Sequence, residues 1–251
     1  MYTAFATVYD RLMQSVDYDG WAAYYAQMLK RRGVESGSVC ECACGTGSLT
    51  VRLQRLGYAM TGVDLSQEML SVAAAKAREN GVFIPFVRQD MCRLSLHRRQ
   101  HAILCTCDGV NYLTSPDRAR AFFRAAFQAL CPGGVLIFDV SSPYKLENTL
   151  GNQTLGSQEE DIAYIWQNAW HPRTRTVDMS LSIFVRGADG RYERLEETQK
   201  QRAHTREELT GYLNEAGFAG VRFYGDRTLR APTAREARWH VTATRPKENK
   251  R

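Results

Sequence analysis

The sequence predicts an α/β fold: a doubly wound mixed sheet of seven strands, with helices on both faces and a small antiparallel insertion. Three observations predict it. Apolar runs alternate with helical patterns from residue 34 to residue 145, and parallel strands require such crossover helices. A glycine turn follows the first run, at the place where open sheets of this class bind ligands. From residue 163 the apolar period changes to two, which is typical of antiparallel strands.

A unit of strand, glycine turn, helix and strand spans residues 39–70, VCECACGTGSLTVRLQRLGYAMTGVDLSQEML. Its first apolar run ends at Glu41, the turn holds Gly45 and Gly47, and the second run ends at Asp64. The glycines let the backbone approach a ligand closely, where the helix N-terminus also presents free N–H groups. An acid in the position of Asp64 can accept hydrogen bonds from a ribose diol. The unit therefore predicts a nucleotide-binding site.

Two residues of this unit indicate the kind of nucleotide. A dinucleotide-binding turn carries a third glycine that packs the helix onto the strand, and Thr50 stands at that position. Glu41 would also repel a pyrophosphate in a partly buried site. S-adenosyl-L-methionine fits better, because Glu41 can face its ammonium and sulfonium while the N–H groups of the turn face its carboxylate. The alternative at this point is a strand, turn and helix without a ligand, capped by Glu41.

Two helices are predicted before this unit, and we expect residues 1–33 to form a lid over the site. Asp17 can cap the second helix, which should end at Gly33. The first helix carries aromatic and apolar residues at helical spacing, namely Tyr2, Phe5, Val8, Tyr9 and Leu12.

The remaining core continues the alternation of strands and helices. In order, we expect a helix capped by Ser66, a strand over residues 83–88, a strand over 101–107, a helix over 117–130, a strand over 135–140 and a closing hairpin over 221–224 and 239–244. Residues 108–112, DGVNY, follow the fourth strand at the switch-point edge of the sheet, where ligands bind. We expect a bound ligand to reach these residues.

The insertion should form the substrate side of the site. Period-2 patterns over residues 163–171, 174–185 and 192–203 predict three antiparallel strands, with Tyr164 and Trp166 on one face. A capping box of Thr205 and Glu208 then opens a helix. We therefore divide the single domain, residues 1–251, into a core of residues 34–145 and 205–245 and an inserted sheet of residues 146–204.

The composition argues against a membrane protein, a secreted protein and a metal-binding protein. Hydrophobic content of 44% and charged content of 24% are those of a globular protein. No apolar run approaches the roughly 18–20 residues of a membrane span, and the first residues lack the apolar stretch of a signal peptide. We therefore expect a cytoplasmic protein without a membrane partner. The seven cysteines include no pair of C-x-x-C motifs, so we expect reduced thiols and no metal site.

The net charge of +6 is compatible with a nucleic-acid substrate. However, no basic stripe with interleaved aromatic residues is present. Solvated surface arginines are favoured over a nucleic-acid site.

Several segments together resemble the class I S-adenosylmethionine-dependent methyltransferases, whose fold is Rossmann-like. They are VCECACGTG with GVDLSQEML, FVRQDM, CDGVNYL and LCPGGVLIFDVSSPYKLE. FATVYDRLM and YERLEETQKQRAH resemble a bacterial branch of small methyltransferases whose substrates are mostly unassigned. The resemblance covers nearly the whole chain and implies S-adenosyl-L-methionine as cofactor.

The residues and the resemblance together define the expected cofactor site. The resemblance implies that Asp90 accepts from the adenine amino group and that Met91 lies against the ring. The full set comprises Tyr9, Glu41, Ala43, Gly45, Gly47, Asp64, Leu65, Met69, Asp90, Met91 and Asp108.

The acceptor side is expected to use two further sets. The catalytic candidates are Asp108, Asn111, Tyr112 and His204, and the substrate candidates are Tyr144, Trp166, Glu197 and Arg202. Arg202 could clamp a substrate carboxylate or pair with Glu196. By resemblance, Tyr144 and Lys145 form a family pair, whereas Gln199 stands where a histidine is usual and His204 where a tyrosine is usual.

The expected reaction is an in-line displacement of methyl from a sulfonium. Holding the acceptor in line supplies much of the catalysis, and a base is needed only if the acceptor carries a proton that must leave early. We expect a small-molecule acceptor and a monomer or homodimer. The alternatives are an RNA (tRNA) modifying methyltransferase and a non-catalytic S-adenosylmethionine-binding or assembly protein. Glu41 and Thr50 oppose a nicotinamide oxidoreductase.

Overall fold

The computed structural model of the protein describes residues 5–248. Tyr2 and residues 249–251 lie outside the described residues. The first part of the chain contains α1 (Ala6–Leu12), α2 (Tyr18–Arg31), β1 (Gly37–Cys42), α3 (Ser48–Arg55), β2 (Tyr58–Asp64), α4 (Gln67–Glu79), β3 (Phe86–Arg88), β4 (Gln100–Cys105), α5 (Pro116–Ala129) and β5 (Leu130–Ser141). The second part contains β6 (Thr154–Gln158), β7 (Ile162–His171), β8 (Thr176–Arg186), β9 (Tyr192–Arg202), α6 (Arg206–Glu215), β10 (Ala219–Tyr224) and β11 (Arg238–Thr244).

The main sheet has seven strands in the order β10-β11-β5-β4-β1-β2-β3. Strands β1 to β5 are parallel, and β11 and β10 add an antiparallel edge beside β5. The chain runs outward from β1 to β3 and then crosses back to β4 on the other side of β1. This reversal creates a switch point at the carboxyl ends of β1 and β4. The predicted fold class is confirmed.

Two apolar layers cover the sheet because its strands are buried on both faces. Ile103 of β4 belongs to the layer that contains Phe122 and the other buried residues of α5 and α6. Leu104, the next residue, belongs to the opposite layer with Tyr25 and Leu29 of α2. The alternation fixes β4 between the layers and places its carboxyl end at the switch point.

The insertion is a separate antiparallel sheet of four strands in the order β6-β7-β8-β9. The predicted three strands were one too few, because β6 is a short edge strand with every residue exposed and no apolar period. The register of β7 places Tyr164 and Trp166 on the same face of the inserted sheet. We call this face the inner face. Helix α1 joins the insertion to the core, since Val8 packs in one buried cluster with Met69 of α4 and Ile183 of β8.

Among residues 5–248, no helix combines the length and the apolar character that crossing a bilayer needs.

Candidate active site

One cavity of about 680 Å³ lies at the carboxyl edge of the main sheet. It is bounded by the turns after β1, β2 and β4, by α1 and the start of α2, and by the inner face of the inserted sheet. Its volume is typical of small-molecule sites, which range over about 300–1,000 Å³. The expected cofactor residues that line it are Tyr9, Glu41, Ala43, Gly45, Asp64, Leu65, Met69, Asp90, Met91 and Asp108.

The glycine turn after β1 has a left-handed backbone. The φ angles of Ala43, Gly45 and Gly47 are +54°, +53° and +69°. A Cβ on Gly45 would meet nothing within 4 Å, whereas one on Gly47 would lie 2.9 Å from the Cβ of Ala73 in α4. Gly47 does not line the cavity. At Gly47 the backbone therefore approaches α4 closely, and Gly45 is the glycine that borders the cavity.

Asp64 holds this turn from the end of β2. Its Oδ2 accepts a hydrogen bond from the Gly45 N–H at 2.8 Å, and its Oδ1 accepts one from the Ser66 N–H at 2.9 Å. Burial raises the pKa of Asp64, and the backbone N–H groups oppose that rise. Because a carboxylate offers about four lone-pair positions, Asp64 retains the capacity to accept from a ribose diol.

Glu41 is a buried carboxylate that lines the cavity. The hydroxyl of Thr106 donates to its Oε1 at 2.6 Å, and the hydroxyl of Thr50 donates to its Oε2. Burial raises the pKa of Glu41 to about 7, although both hydroxyls oppose the rise. Within residues 5–248 no cation pairs with it, so a cationic ligand would provide the opposite charge.

Leu65, Asp90 and Met91 line the cavity at the ends of β2 and β3. The side chain of Leu65 is 61% exposed, which is apolar surface available to a ring. Asp90 accepts from the Cys92 N–H at 2.9 Å and pairs with Arg118 at 3.2 Å. Burial would raise the pKa of Asp90, but the Cys92 N–H and Arg118 outweigh it and lower the pKa.

A second strained turn follows β4. Cys107 and Asp108 have φ angles of +54° and +65°, which non-glycine residues rarely adopt. Asp139, fully buried in β5, accepts from their N–H groups at 2.7 and 3.0 Å and from the Tyr25 hydroxyl at 2.7 Å. Arg238 of β11 donates to both Asp108 and Asp139. Backbone strain held by several partners is characteristic of functional sites.

Asp108 is kept ionised in this turn. Its Oδ1 and Oδ2 accept from Arg238 at 2.6 and 3.1 Å, and the Nζ of Lys145 lies 3.9 Å from Oδ2. Burial would raise the pKa of Asp108, but Arg238 and then Lys145 lower it. An acid with a lowered pKa is a weak proton acceptor at neutral pH, so this geometry suits orientation rather than base catalysis.

The expected acceptor-side residues fall into two groups. Tyr112 and Trp166 line the cavity, and the Tyr112 hydroxyl donates to the Oε1 of Gln199, another lining residue, at 2.7 Å. The candidates that do not line it are Asn111, Tyr144, Glu197, Arg202 and His204.

Three of these residues lie in a buried joint between the main sheet and the insertion. The amide of Asn111 donates to the backbone carbonyl of Arg202 at 2.9 Å. Arg202 pairs with Glu208 at 2.7 Å and not with Glu196, and its Nη1 donates to the Nδ1 of His204 at 3.0 Å. Burial and, as a second cause, the positive charge of Arg202 lower the pKa of His204 to about 4. The contacts of Asn111, Arg202 and His204 are those of a structural joint.

Helix α1 closes the cavity from above the glycine turn. Tyr9 lines the cavity, and the next residue, Asp10, accepts from the Thr46 hydroxyl at 2.7 Å and pairs with Lys76 at 2.7 Å. Because Thr46 belongs to the glycine turn, these polar contacts join α1 directly to that turn.

The sequence interpretation missed Asp139 and Arg238. One signal was present: Asp139 stands in the apolar strand sequence VLIFDVS, and buried acids are almost always paired. No comparable signal pointed to Arg238, which is distant in sequence from both of its partners.

Comparison with known proteins gives a consistent result. A family model described as a methyltransferase domain matches residues 39–134. A provisionally named methyltransferase from Geobacillus sp. (strain WCH70) is 36% identical over 92% of this chain and 94% of its own length. Another from Bacillus subtilis (strain 168), YqeM, is 35% identical over 98% of both chains.

A solved structure gives the same result. The crystal structure of an S-adenosylmethionine-dependent methyltransferase from Clostridium acetobutylicum ATCC 824 is 30% identical, covers 98% of this chain and 99% of its own, and has a TM-score of 0.89. The chain belongs to the class I S-adenosylmethionine-dependent methyltransferases.

This methyltransferase is an enzyme whose cofactor is S-adenosyl-L-methionine. That finding excludes the alternatives of a nicotinamide oxidoreductase and of a non-catalytic binding or assembly protein. The residues present fit that cofactor. Glu41 lacks a cationic partner in the part of the chain that the structure describes, Gly45 borders open space, and Asp64 retains acceptor capacity. These three features match the cationic groups, the close backbone approach and the ribose diol of the cofactor.

Proposed function

We propose that the enzyme transfers the methyl group of S-adenosyl-L-methionine to a small-molecule acceptor. One observation carries this proposal: a single cavity extends from Asp64 and Asp90 at the core to Trp166 and Gln199 on the inserted sheet. A donor held at the first end would have its acceptor against the second. In this proposal residues 146–204 form the substrate side and residues 1–33 the lid.

The proposed cofactor contacts follow from the charges around the cavity. Asp64 would accept from the ribose diol, Asp90 from the adenine amino group, and Leu65 and Met91 would contact the ring. Glu41 would face the cationic end, while the N–H groups of the turn around Gly45 would face the carboxylate. When bound, the cofactor supplies an electrophilic methyl group on a sulfonium.

The chain's own contribution to the reaction is mainly positional. Asp108 and Tyr112 are fixed at the switch point by Arg238 and Gln199, so they can orient an acceptor. Fixing both partners turns a bimolecular step into an effectively unimolecular one. His204 lies outside the cavity lining, so the proposal requires no histidine base.

A small acceptor is favoured over RNA by the enclosure of the site. Helix α1 and the inserted sheet together bound the cavity, and Val8 packs in a buried cluster that includes Ile183 of that sheet. A polynucleotide could enter this cavity only by a flipped-out nucleotide, whereas an entire small molecule fits within the cavity volume.

The test is an incubation of the enzyme with methyl-labelled S-adenosyl-L-methionine, a bacterial metabolite extract and, separately, bacterial tRNA. We expect label in a low-mass product with wild type. With Asp64→Ala, which should weaken the cofactor site by about 1.5–3 kcal/mol, we expect much less. Label in tRNA, or no transfer by an enzyme that binds the cofactor, would contradict a small-molecule acceptor.

A further inference from the structure

Lys145 differs from the other charged residues that line the cavity. Its Nζ lies 3.9 Å from Asp108 Oδ2, beyond hydrogen-bond distance, and this ammonium makes no hydrogen bond within residues 5–248. Every other lining carboxylate or cation that the structure describes has a hydrogen-bonding or ion-pair partner at 3.2 Å or less. Lys145 is therefore a cation at the cavity wall without a close partner of its own.

The position of Lys145 is fixed although its ammonium has no close partner. It begins the helical turn Lys145–Leu150, which is separated from β5 by residues 142–144. Its N–H donates to the Ser142 hydroxyl at 3.1 Å, and Leu146 beside it is fully buried. The charge is held near Asp108, at the edge where donor and acceptor would meet.

The surfaces around this charge are apolar. Trp166, Met179 and Leu181 of the inserted sheet and Leu150 of the helical turn line the cavity and pack in one cluster. Such a wall suits a flat or bulky apolar body, since apolar area removed from water is stabilising.

No available carboxylate faces this part of the cavity in the described chain. Asp108 accepts two hydrogen bonds from Arg238, which also donates to Asp139, and Glu197, on the inner face of the same sheet, does not line the cavity. A cationic acceptor would therefore be desolvated without an ion pair, which is unfavourable. An anionic acceptor could form an ion pair with the ammonium of Lys145.

We infer that the acceptor of this methyltransferase carries an anionic group on an apolar ring or chain, with Lys145 binding the anion and the inserted sheet binding the apolar part. This inference rests on the proposed function, because it names the acceptor class of the same cavity. A hydrogen bond between an ammonium and an oxyanion is stronger than its neutral counterpart, so the charge of the acceptor should control its affinity.

The experiment uses three probes that share one ring: indole-3-acetate, indole-3-acetamide and tryptamine. Their dissociation constants are measured on enzyme saturated with S-adenosylhomocysteine. Wild type should bind the acetate about tenfold more tightly than the amide, the lower range for hydrogen bonds to charged groups, and tryptamine most weakly. Lys145→Gln should bind acetate and amide equally, Lys145→Arg should keep the preference, and the exposed control Lys30→Gln should match wild type.

A prior titration with S-adenosylhomocysteine distinguishes a failure of the proposed function from a failure of the inference about Lys145. If wild type does not bind it, the proposed function is wrong. If wild type and Lys145→Gln bind it equally, three results overturn the inference alone: an acetate preference that survives in Lys145→Gln, an equal or stronger affinity for tryptamine, or no binding of the acetate at millimolar concentration.

Discussion

Cofactor binding is expected to release a proton from Glu41 near neutral pH. Burial raises the pKa of this side chain to about 7 in the cofactor-free enzyme. A sulfonium or ammonium bound beside it favours the ionised form and lowers that pKa. The affinity for S-adenosyl-L-methionine should therefore increase with pH across the range around 7.

The size of the effect follows from the titration of one group. With a pKa of about 7, Glu41 is about nine-tenths protonated at pH 6 and about one-tenth protonated at pH 8. If the bound cofactor keeps it ionised throughout, the association constant is about tenfold lower at pH 6 than at pH 8. That factor corresponds to about 1.4 kcal/mol of binding free energy. Binding at pH 6 should release about 0.9 proton.

The assay is isothermal titration calorimetry at several pH values in buffers of different ionisation enthalpy. Glu41→Gln is the matched control, because the ligand's own ionisation is the same for both proteins and only the Glu41 contribution is removed. Adenosine lacks both cationic groups and should bind with little pH dependence. The same pH dependence in wild type and Glu41→Gln, or no proton release at pH 6, would refute the placement of a cation beside Glu41.

The sign of the pH effect on stability follows from the same group. Its folded pKa of about 7 lies above the ordinary value of 4.5, so between these values the native cofactor-free enzyme binds more protons than the unfolded chain. The free energy of unfolding should therefore fall as the pH rises through this window. In urea titrations Glu41→Gln should reduce that fall.

Three further predictions concern the turns and the joint. Gly47→Ala should lower the free energy of unfolding by about 2–4 kcal/mol, because the left-handed backbone and the contact with α4 both oppose a Cβ. Gly45→Ala should lower it by only about 1 kcal/mol but weaken S-adenosylhomocysteine binding in calorimetry; equal loss of stability in both variants would contradict this division. Asp139→Ala should lower the unfolding free energy by about 3–5 kcal/mol in urea, since it removes the acceptor of the Cys107 and Asp108 N–H groups and one of the two carboxylates that pair with Arg238; a loss below about 1 kcal/mol would contradict its proposed role in holding the turn. His204→Ala should lower it by about 2–4 kcal/mol and leave the pH profile of transfer unchanged, whereas a shifted profile would support acid–base catalysis.

The core strands could be predicted because local patterns encode them. Deviations occur where a local feature outweighs hydrophobicity. The third strand was expected from residue 83, but β3 begins at Phe86 because Pro85 lacks a backbone donor, and Phe83 is 86% exposed. Strand β6 has no apolar period to detect and pairs only at the edge of the insertion.

The cofactor side of the cavity was predictable for the same reason. Glu41, Gly45 and Asp64 belong to one continuous unit, so their spacing carries the geometry. Asp139 and Arg238 meet from strands 99 residues apart in sequence, and nothing local links them. Such partners become visible only when the sheet order is known.

Fewer of the acceptor-side candidates than of the cofactor-side candidates line the cavity. Gln199, Lys200 and Gln201 of β9 line it, whereas Arg202 at the end of the strand contacts Glu208 and His204 in the buried joint. Period 2 does not separate these residues, because Lys200 and Arg202 share one face of β9. The partners that hold Arg202 follow β9 in the chain, and no strand pattern predicts their contacts.

The most direct test of the proposed site is a crystal structure of the enzyme with S-adenosylhomocysteine. We predict adenosine against Leu65 and Met91 with its diol at Asp64, and a sulfur atom open to the part of the cavity that Tyr112 and Trp166 line. A ligand bound outside this cavity, or bound within it with its sulfur turned away from the inserted sheet, would contradict the proposed arrangement of donor and acceptor.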